Sequence, residues 1–119
     1  MKLEEEAKRF MQSHNKSLIS AHEYQEKCKT TAIYPKKDAI AYLSLGLVSE
    51  AGEVAGKVKK QIRDGTQSNI ASEIGDVLWY CAMLANELNV NLGKIMEDNL
   101  YKLNDRKTRG TLAGSGDNR

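Results

Sequence analysis

A chain of 119 residues has room for one hydrophobic core. Eighteen Lys and Arg against sixteen Asp and Glu leave a formal charge of +2, too balanced for the basic footprint of a nucleic-acid polymer partner. There is no apolar run of transmembrane length, the acidic start Met1-Lys2-Leu3-Glu4-Glu5-Glu6 lacks the apolar stretch of a secretory signal, and Cys28 and Cys81 form no disulfide framework; a cytoplasmic protein with no membrane partner is expected.

A single proline and many Ala, Leu, Glu and Lys residues favour helices. Residues 1–17 read as an N-terminal extension, with a short helix from Glu4 to Met11 and a polar break at Ser13-His14-Asn15. Ser20 is a candidate N-cap for a helix from Ala21 to Lys29, and Thr30 to Lys37, containing Pro35, is a connection. A long helix is predicted from Asp38 to Arg63, with Leu43, Leu47, Val54 and Val58 at three-to-four spacing and a stop at Asp64-Gly65. The next runs from Ser68 to Leu88 on the stripe Ile70, Val77, Tyr80, Leu84, Leu88. The last follows Asn91, carries Leu92, Ile95, Met96 and Leu103, and reaches Lys107. Short connections make neighbours antiparallel, so residues 18–109 are expected to form an all-α, four-helix-bundle-like domain. Residues 110–119, with three glycines and no helical pattern, read as a tail that disorder alone would explain.

Two helices carry acids where apolar residues belong. At about 100° per residue, Glu50 falls within the stripe of Leu43, Leu47 and Val54, and Glu53 on its flank. Glu73 falls between Ile70, Val77 and Tyr80, with Asp76 on its flank. Converging buried carboxylates are costly unless protonated, paired with a base, or bound to a cation. The bases offer little pairing: Lys57 reads as beyond the flank, and Lys59, Lys60 and Arg63 as mostly solvent-facing. A divalent metal is the economical solution, and all-oxygen ligands select Mg²⁺, with Mn²⁺ as a substitute. His14 and His22 lie outside the pattern, against a di-iron bundle. Gly52 and Gly75, each inside an acid pair, either admit a close helix or ligand or are tolerated interior glycines.

On the last helix, Asn99 and Arg106 share the face of Leu92, Ile95 and Leu103, with Lys102 beside them. They suit an anionic ligand held by a metal; equally, Lys102 and Arg106 could snorkel over the core around a satisfied Asn99. Trp79, on the Asp76 side of its helix, could stack on a base or pack in the core or a subunit interface.

The run Leu45-Gly46-Leu47-Val48-Ser49-Glu50-Ala51-Gly52-Glu53-Val54, followed by Glu73-Ile74-Gly75-Asp76-Val77-Leu78-Trp79-Tyr80, resembles the MazG-like nucleotide pyrophosphohydrolases of the all-α NTP pyrophosphatase superfamily, marked by E-x-x-E and then E-x-x-D. Asn99-Leu100-Tyr101-Lys102-Leu103-Asn104-Asp105-Arg106 is similar to the family's fourth-helix motif, and Gly114-Ser115-Gly116-Asp117-Asn118-Arg119 to the tail of small stand-alone members. The resemblance spans about Leu18 to Arg119. It implies Mg²⁺-dependent hydrolysis of a nucleoside triphosphate between the α and β phosphates, giving a monophosphate and pyrophosphate. Under it Glu50, Glu53, Glu73 and Asp76 hold the metal, and Asn99, Lys102 and Arg106 contact phosphate or sugar; the flank position of Glu53 makes it the carboxylate expected to orient or deprotonate the water. Gln25 and Lys29, on the first matched helix, could join the pocket. It also implies a homodimer or homotetramer with the pocket near or across the subunit interface. An alarmone hydrolase using the same site, and a non-catalytic helical adaptor, are the competing functions.

Overall fold

A computed structural model describes residues 2–14 and 18–119. Among them the protein is all-helical: α1 Lys2–His14, α2 Ala21–Cys28, a 3₁₀ turn Lys29–Thr31, α3 Ala39–Asp64, α4 Ile70–Glu87 and α5 Leu92–Thr108. Helix α1 continues through Ser13 and His14, where a polar break was expected; Asn15 lies outside the described residues. The described part of the extension read over residues 1–17 is thus regular helix, because nothing at Ser13-His14 forbids one.

Local chemistry sets the helix ends. The side chains of Ser20, Asn69 and Asn91 accept from the amides of Glu23 (3.1 Å), Ser72 (3.1 Å) and Gly93 (2.8 Å), each satisfying a donor that the helix leaves free. Gly65 stops α3 at φ 69°, a left-handed conformation that costs a glycine little. Asp38 precedes α3 at φ 60° with no side-chain cap, and its carbonyl accepts the first bond of the helix, from the Tyr42 amide at 2.9 Å.

Helices α3 and α4 form an antiparallel hairpin: Gly46 meets Tyr80 near one end and Lys57 meets Glu73 nearer the turn. Helix α2 packs across α4, and α5 packs on α2 and α4. The core sits at the end away from the α3–α4 turn, where Leu43, Ala82 and Met83 are fully buried beside Cys28, Tyr34, Ala39 and Leu92. Gln25, 5% exposed, completes it by accepting the Leu92 amide at 2.8 Å and donating to the Val90 carbonyl at 3.0 Å. This buried amide joins α2 to the start of α5 and is committed to that structural task.

Within one chain the α3–α4 hairpin is packed by α2, and by α5 through α2 and α4. Among the described residues α5 makes no comparable packing on α3, and it leaves Ile95, Met96, Leu100, Tyr101 and Leu103 exposed. The outer face of α3 exposes Leu45 and Val48. The radius of gyration, 17.5 Å, exceeds the value of about 13–14 Å for a compact chain of this length. The C-terminal residues are folded onto the end of α5. Arg106 Nη2 donates to the Asp117 carbonyl (2.9 Å), Arg109 Nη2 to that of Arg119 (2.6 Å), and Arg119 Nε to that of Thr111 (3.2 Å). Gly116, at φ 90°, turns the chain back for these bonds. No described helix is long and apolar enough to cross a membrane.

Candidate metal centre

The α3–α4 hairpin brings three acids together, one carboxylate from α3 and two from α4. Glu50 from α3 faces Glu73 and Asp76, one turn apart on α4. One ligand oxygen of each lies within 4.8 Å of the others, the span across a divalent ion with opposed oxygen ligands at about 2.1–2.4 Å. Glu50 and Glu73 are half-buried and Asp76 is exposed. Burial, and then the charges of Asp76, Glu73 and Glu53, raise the Glu50 pKa above its ordinary value. Burial disfavours the charged form first, and the neighbouring carboxylates add to it. The all-oxygen, carboxylate-only donor set fits a hard divalent cation, and Glu50, Glu73 and Asp76 are the residues placed to hold it.

Glu53 stands apart. It is exposed and outside the three-acid cluster, acting on Glu50 only as a neighbouring charge one turn along α3. The expected four-acid convergence is therefore three acids with a fourth on the rim, since the flank of α3 that carries Glu53 is uncovered in one chain.

The sequence missed a cation. Lys57 Nζ lies 2.7 Å from Glu73 Oε1 and 3.2 Å from the Asn69 carbonyl. The expectation that it lies beyond the flank is wrong: seven residues make nearly two turns, returning Lys57 to within about 20° of Glu50. The seven-residue step was the signal that could have found it. The cluster thus carries one internal base rather than none.

The close helix approach is at Gly46, not at Gly52 or Gly75, where no protein atom calls for a glycine. A Cβ at Gly46 would collide with the Tyr80 ring, whereas around Gly52 and Gly75 there is nothing within 4 Å. Tyr80 lies against α3 because residue 46 has no side chain, and burial, with the charges of Tyr42, Glu50 and Asp76, raises its pKa. Behind the acids, the Tyr24 hydroxyl reaches the Gly75 carbonyl at 3.5 Å, and burial pushes its pKa up to about 12.

The other expected site residues lie elsewhere. Trp79 donates from Nε1 to Thr31 Oγ1 at 2.8 Å and packs edge-on against Tyr34 and Tyr80, so its indole is held in an aromatic cluster. Asn99 and Lys102 are exposed and line a shallow groove with Ile95 and Asp98 on α5, a helix that contributes nothing to the three-acid cluster. Arg106 is 6% exposed and gives its guanidinium to the tail. Lys29 pairs with Glu26 at 2.8 Å. Both cysteines are free, and burial raises the Cys81 thiol pKa, away from a reactive thiolate.

Comparison with known proteins gives two findings. The MazG nucleotide pyrophosphohydrolase domain matches residues 39–110, the stretch that contains every member of the acid cluster. The chain is 48% identical over 109 residues to the Gene 37 protein of Mycobacterium phage L5, covering 81% of this chain and 96% of that one. That name states no activity. No solved structure matches the chain.

Proposed function

The chain belongs to the MazG nucleotide pyrophosphohydrolase family, and from that premise we propose that it hydrolyses a (deoxy)nucleoside triphosphate between the α and β phosphates, with Mg²⁺, to a monophosphate and pyrophosphate. The observation that carries this reading is the convergence of Glu50, Glu73 and Asp76 from two helices inside the matched region. The role fits the cleansing or control of nucleotide pools.

Mg²⁺, with Mn²⁺ as substitute, supplies charge neutralisation for the triphosphate and acidifies a water. The chain's residues do the rest. Glu50, Glu73 and Asp76 hold the cation. Glu53, on the open rim, is placed to orient the attacking water or take its proton. Asn99 and Lys102 are the proposed phosphate or sugar contacts, and Arg106 supports them by fixing the end of α5 to the tail. Trp79 remains a candidate base contact only through a ring edge left free by its cluster.

The cations of α5 and the acids of the hairpin do not meet within one chain, so we infer a homodimer or homotetramer. The uncovered apolar faces of α3 and α5 support it, burial of such surface contributing about 25 cal/mol per Å². In that assembly α5 of one copy would face the acids of another. Light scattering that finds only monomer contradicts this.

The test is pyrophosphate release across a nucleotide panel, with Mg²⁺ and with EDTA. Wild type releases pyrophosphate only with metal, and Glu50→Gln and Glu73→Gln lower the rate by about 10²–10³-fold. Folded variants with the wild-type rate, or the absence of EDTA-sensitive release on every nucleotide, refute the assignment.

A further inference from the structure

Among the described residues most ion pairs join positions one to four apart in the chain and stand in water. Lys27–Glu23 is typical, with side chains 68% and 52% exposed. Lys57–Glu73 differs in both respects. Its side chains are 29% and 15% exposed, and it crosses from α3 to α4. The same ammonium also donates to the carbonyl of Asn69, the residue that caps α4. Its two bonds therefore reach the cap and the first turn of α4, the turn that carries Glu73 and sets the height of Asp76 one turn later.

Resting on the metal-centre reading above, we propose that Lys57 is a positioning residue for that centre. It fixes Glu73 and the start of α4 against α3 so that Glu50, Glu73 and Asp76 present their oxygens to a single cation. Three carboxylates facing one another repel, and without a base between the helices they relieve the repulsion by turning outward into water. Lys57 opposes this with one charge-assisted bond and one anchoring bond. The anchor matters. A lysine held only by Glu73 would be a rival for the metal's place, but one also held by the Asn69 carbonyl stays beside the site. A carboxylate has two oxygens and about four acceptor positions, so a bond at Oε1 leaves Glu73 able to take a second cation. Outer partners of metal ligands act in this way, and their loss costs about 10–100-fold in metal affinity.

The experiment measures Mn²⁺ binding to the full chain without nucleotide, by the electron paramagnetic resonance signal of free Mn²⁺, for wild type, Lys57→Met and Lys57→Arg. Lys57→Met keeps the length and loses the charge, and is expected to bind Mn²⁺ about 10–100-fold more weakly. Lys57→Arg, which keeps a charged donor, recovers most of the affinity. In the pyrophosphate assay Lys57→Met needs more Mg²⁺ for half its maximal rate, while the rate at saturating Mg²⁺ stays close to wild type. Should circular dichroism show Lys57→Met unfolded, Lys57→Gln carries the same expectation. Mn²⁺ affinity equal to or tighter than wild type in the folded uncharged variant overturns the proposal, because the lysine is then a bystander or a rival. A wild-type chain that binds no Mn²⁺ overturns the metal-centre reading and this inference together; wild-type binding with an unaffected variant overturns this inference alone.

Discussion

The two ends of the α3–α4 hairpin are built on opposite principles. Away from the turn, Leu43, Ala82 and Met83 are sealed by α2 and by the start of α5, and Gly46 lets Tyr80 lie directly against α3. Toward the turn, the same two helices carry Glu50, Lys57, Glu73 and Asp76, with open space at Gly52 and Gly75. One end spends its contacts on stability; the other gathers like charges that burial makes unfavourable. The packed end fixes how the two helices lie against each other, and that fixes the spacing of the acids at the open end.

Substitutions at the two ends should therefore move stability in opposite directions. The largest expected effect is Leu43→Ala, which empties a fully buried site and should cost about 2–5 kcal/mol, read from chemical denaturation. Next comes Gly46→Ala. Its methyl group meets the Tyr80 ring, and the displacement should cost about 1–3 kcal/mol while also disturbing the acids next to Tyr80. A denaturation midpoint equal to wild type would show that the two helices separate more freely than their packing suggests. Gln25→Ala leaves the buried Leu92 amide without an acceptor and should cost a similar amount, about 1–3 kcal/mol, with hydrogen exchange accelerated first at the start of α5.

The smallest effect has the opposite sign. The Glu50 pKa is raised in the folded protein, so the stability associated with its protonated form is present at low pH and lost as pH rises through the folded pKa. Metal-free Glu50→Gln should escape that loss. Its thermal midpoint should exceed wild type at neutral pH, and the two should converge in acid, where Glu50 is protonated. Addition of Mg²⁺ should reverse the order by stabilising wild type alone. A Glu50→Gln chain no more stable than wild type at neutral pH would mean that the acids have moved apart in solution, and the contrast between the two ends would fail.

The legible parts of this protein were local. Caps at Ser20 and Asn91, the stop at Gly65 and the helical periods between them were readable because each depends on residues a few positions apart. The inward turn of Glu50 and Glu73 followed from the same arithmetic. Where that arithmetic was misapplied, at Lys57, the sequence held the answer and the expectation was wrong.

Other features were never in the local pattern. Tail residues 110–119 show no periodicity, yet arginines 106, 109 and 119 fold them onto α5 through backbone carbonyls, which any sequence offers and no motif marks. Arg106 had the spacing of a phosphate ligand, and only its burial reveals the bond to Asp117. The spacing of Gln25 assigned it no role; its bonds to Val90 and Leu92 exist only because the fold brings them beside it.

The sequence by itself determined the helices, the family and the acids turned toward the hairpin, because helical period and motif spacing are properties of one segment at a time. The tertiary structure decided which groups meet. Glu50 joins Glu73 and Asp76, Lys57 bridges to Glu73, Glu53 is exposed outside the cluster, and among the described residues α5 contributes nothing to it. Those outcomes depend on how far two helices slide and rotate against each other. That relation is set by packing at Leu43, Gly46, Tyr80 and Met83, through contacts between residues far apart in the chain.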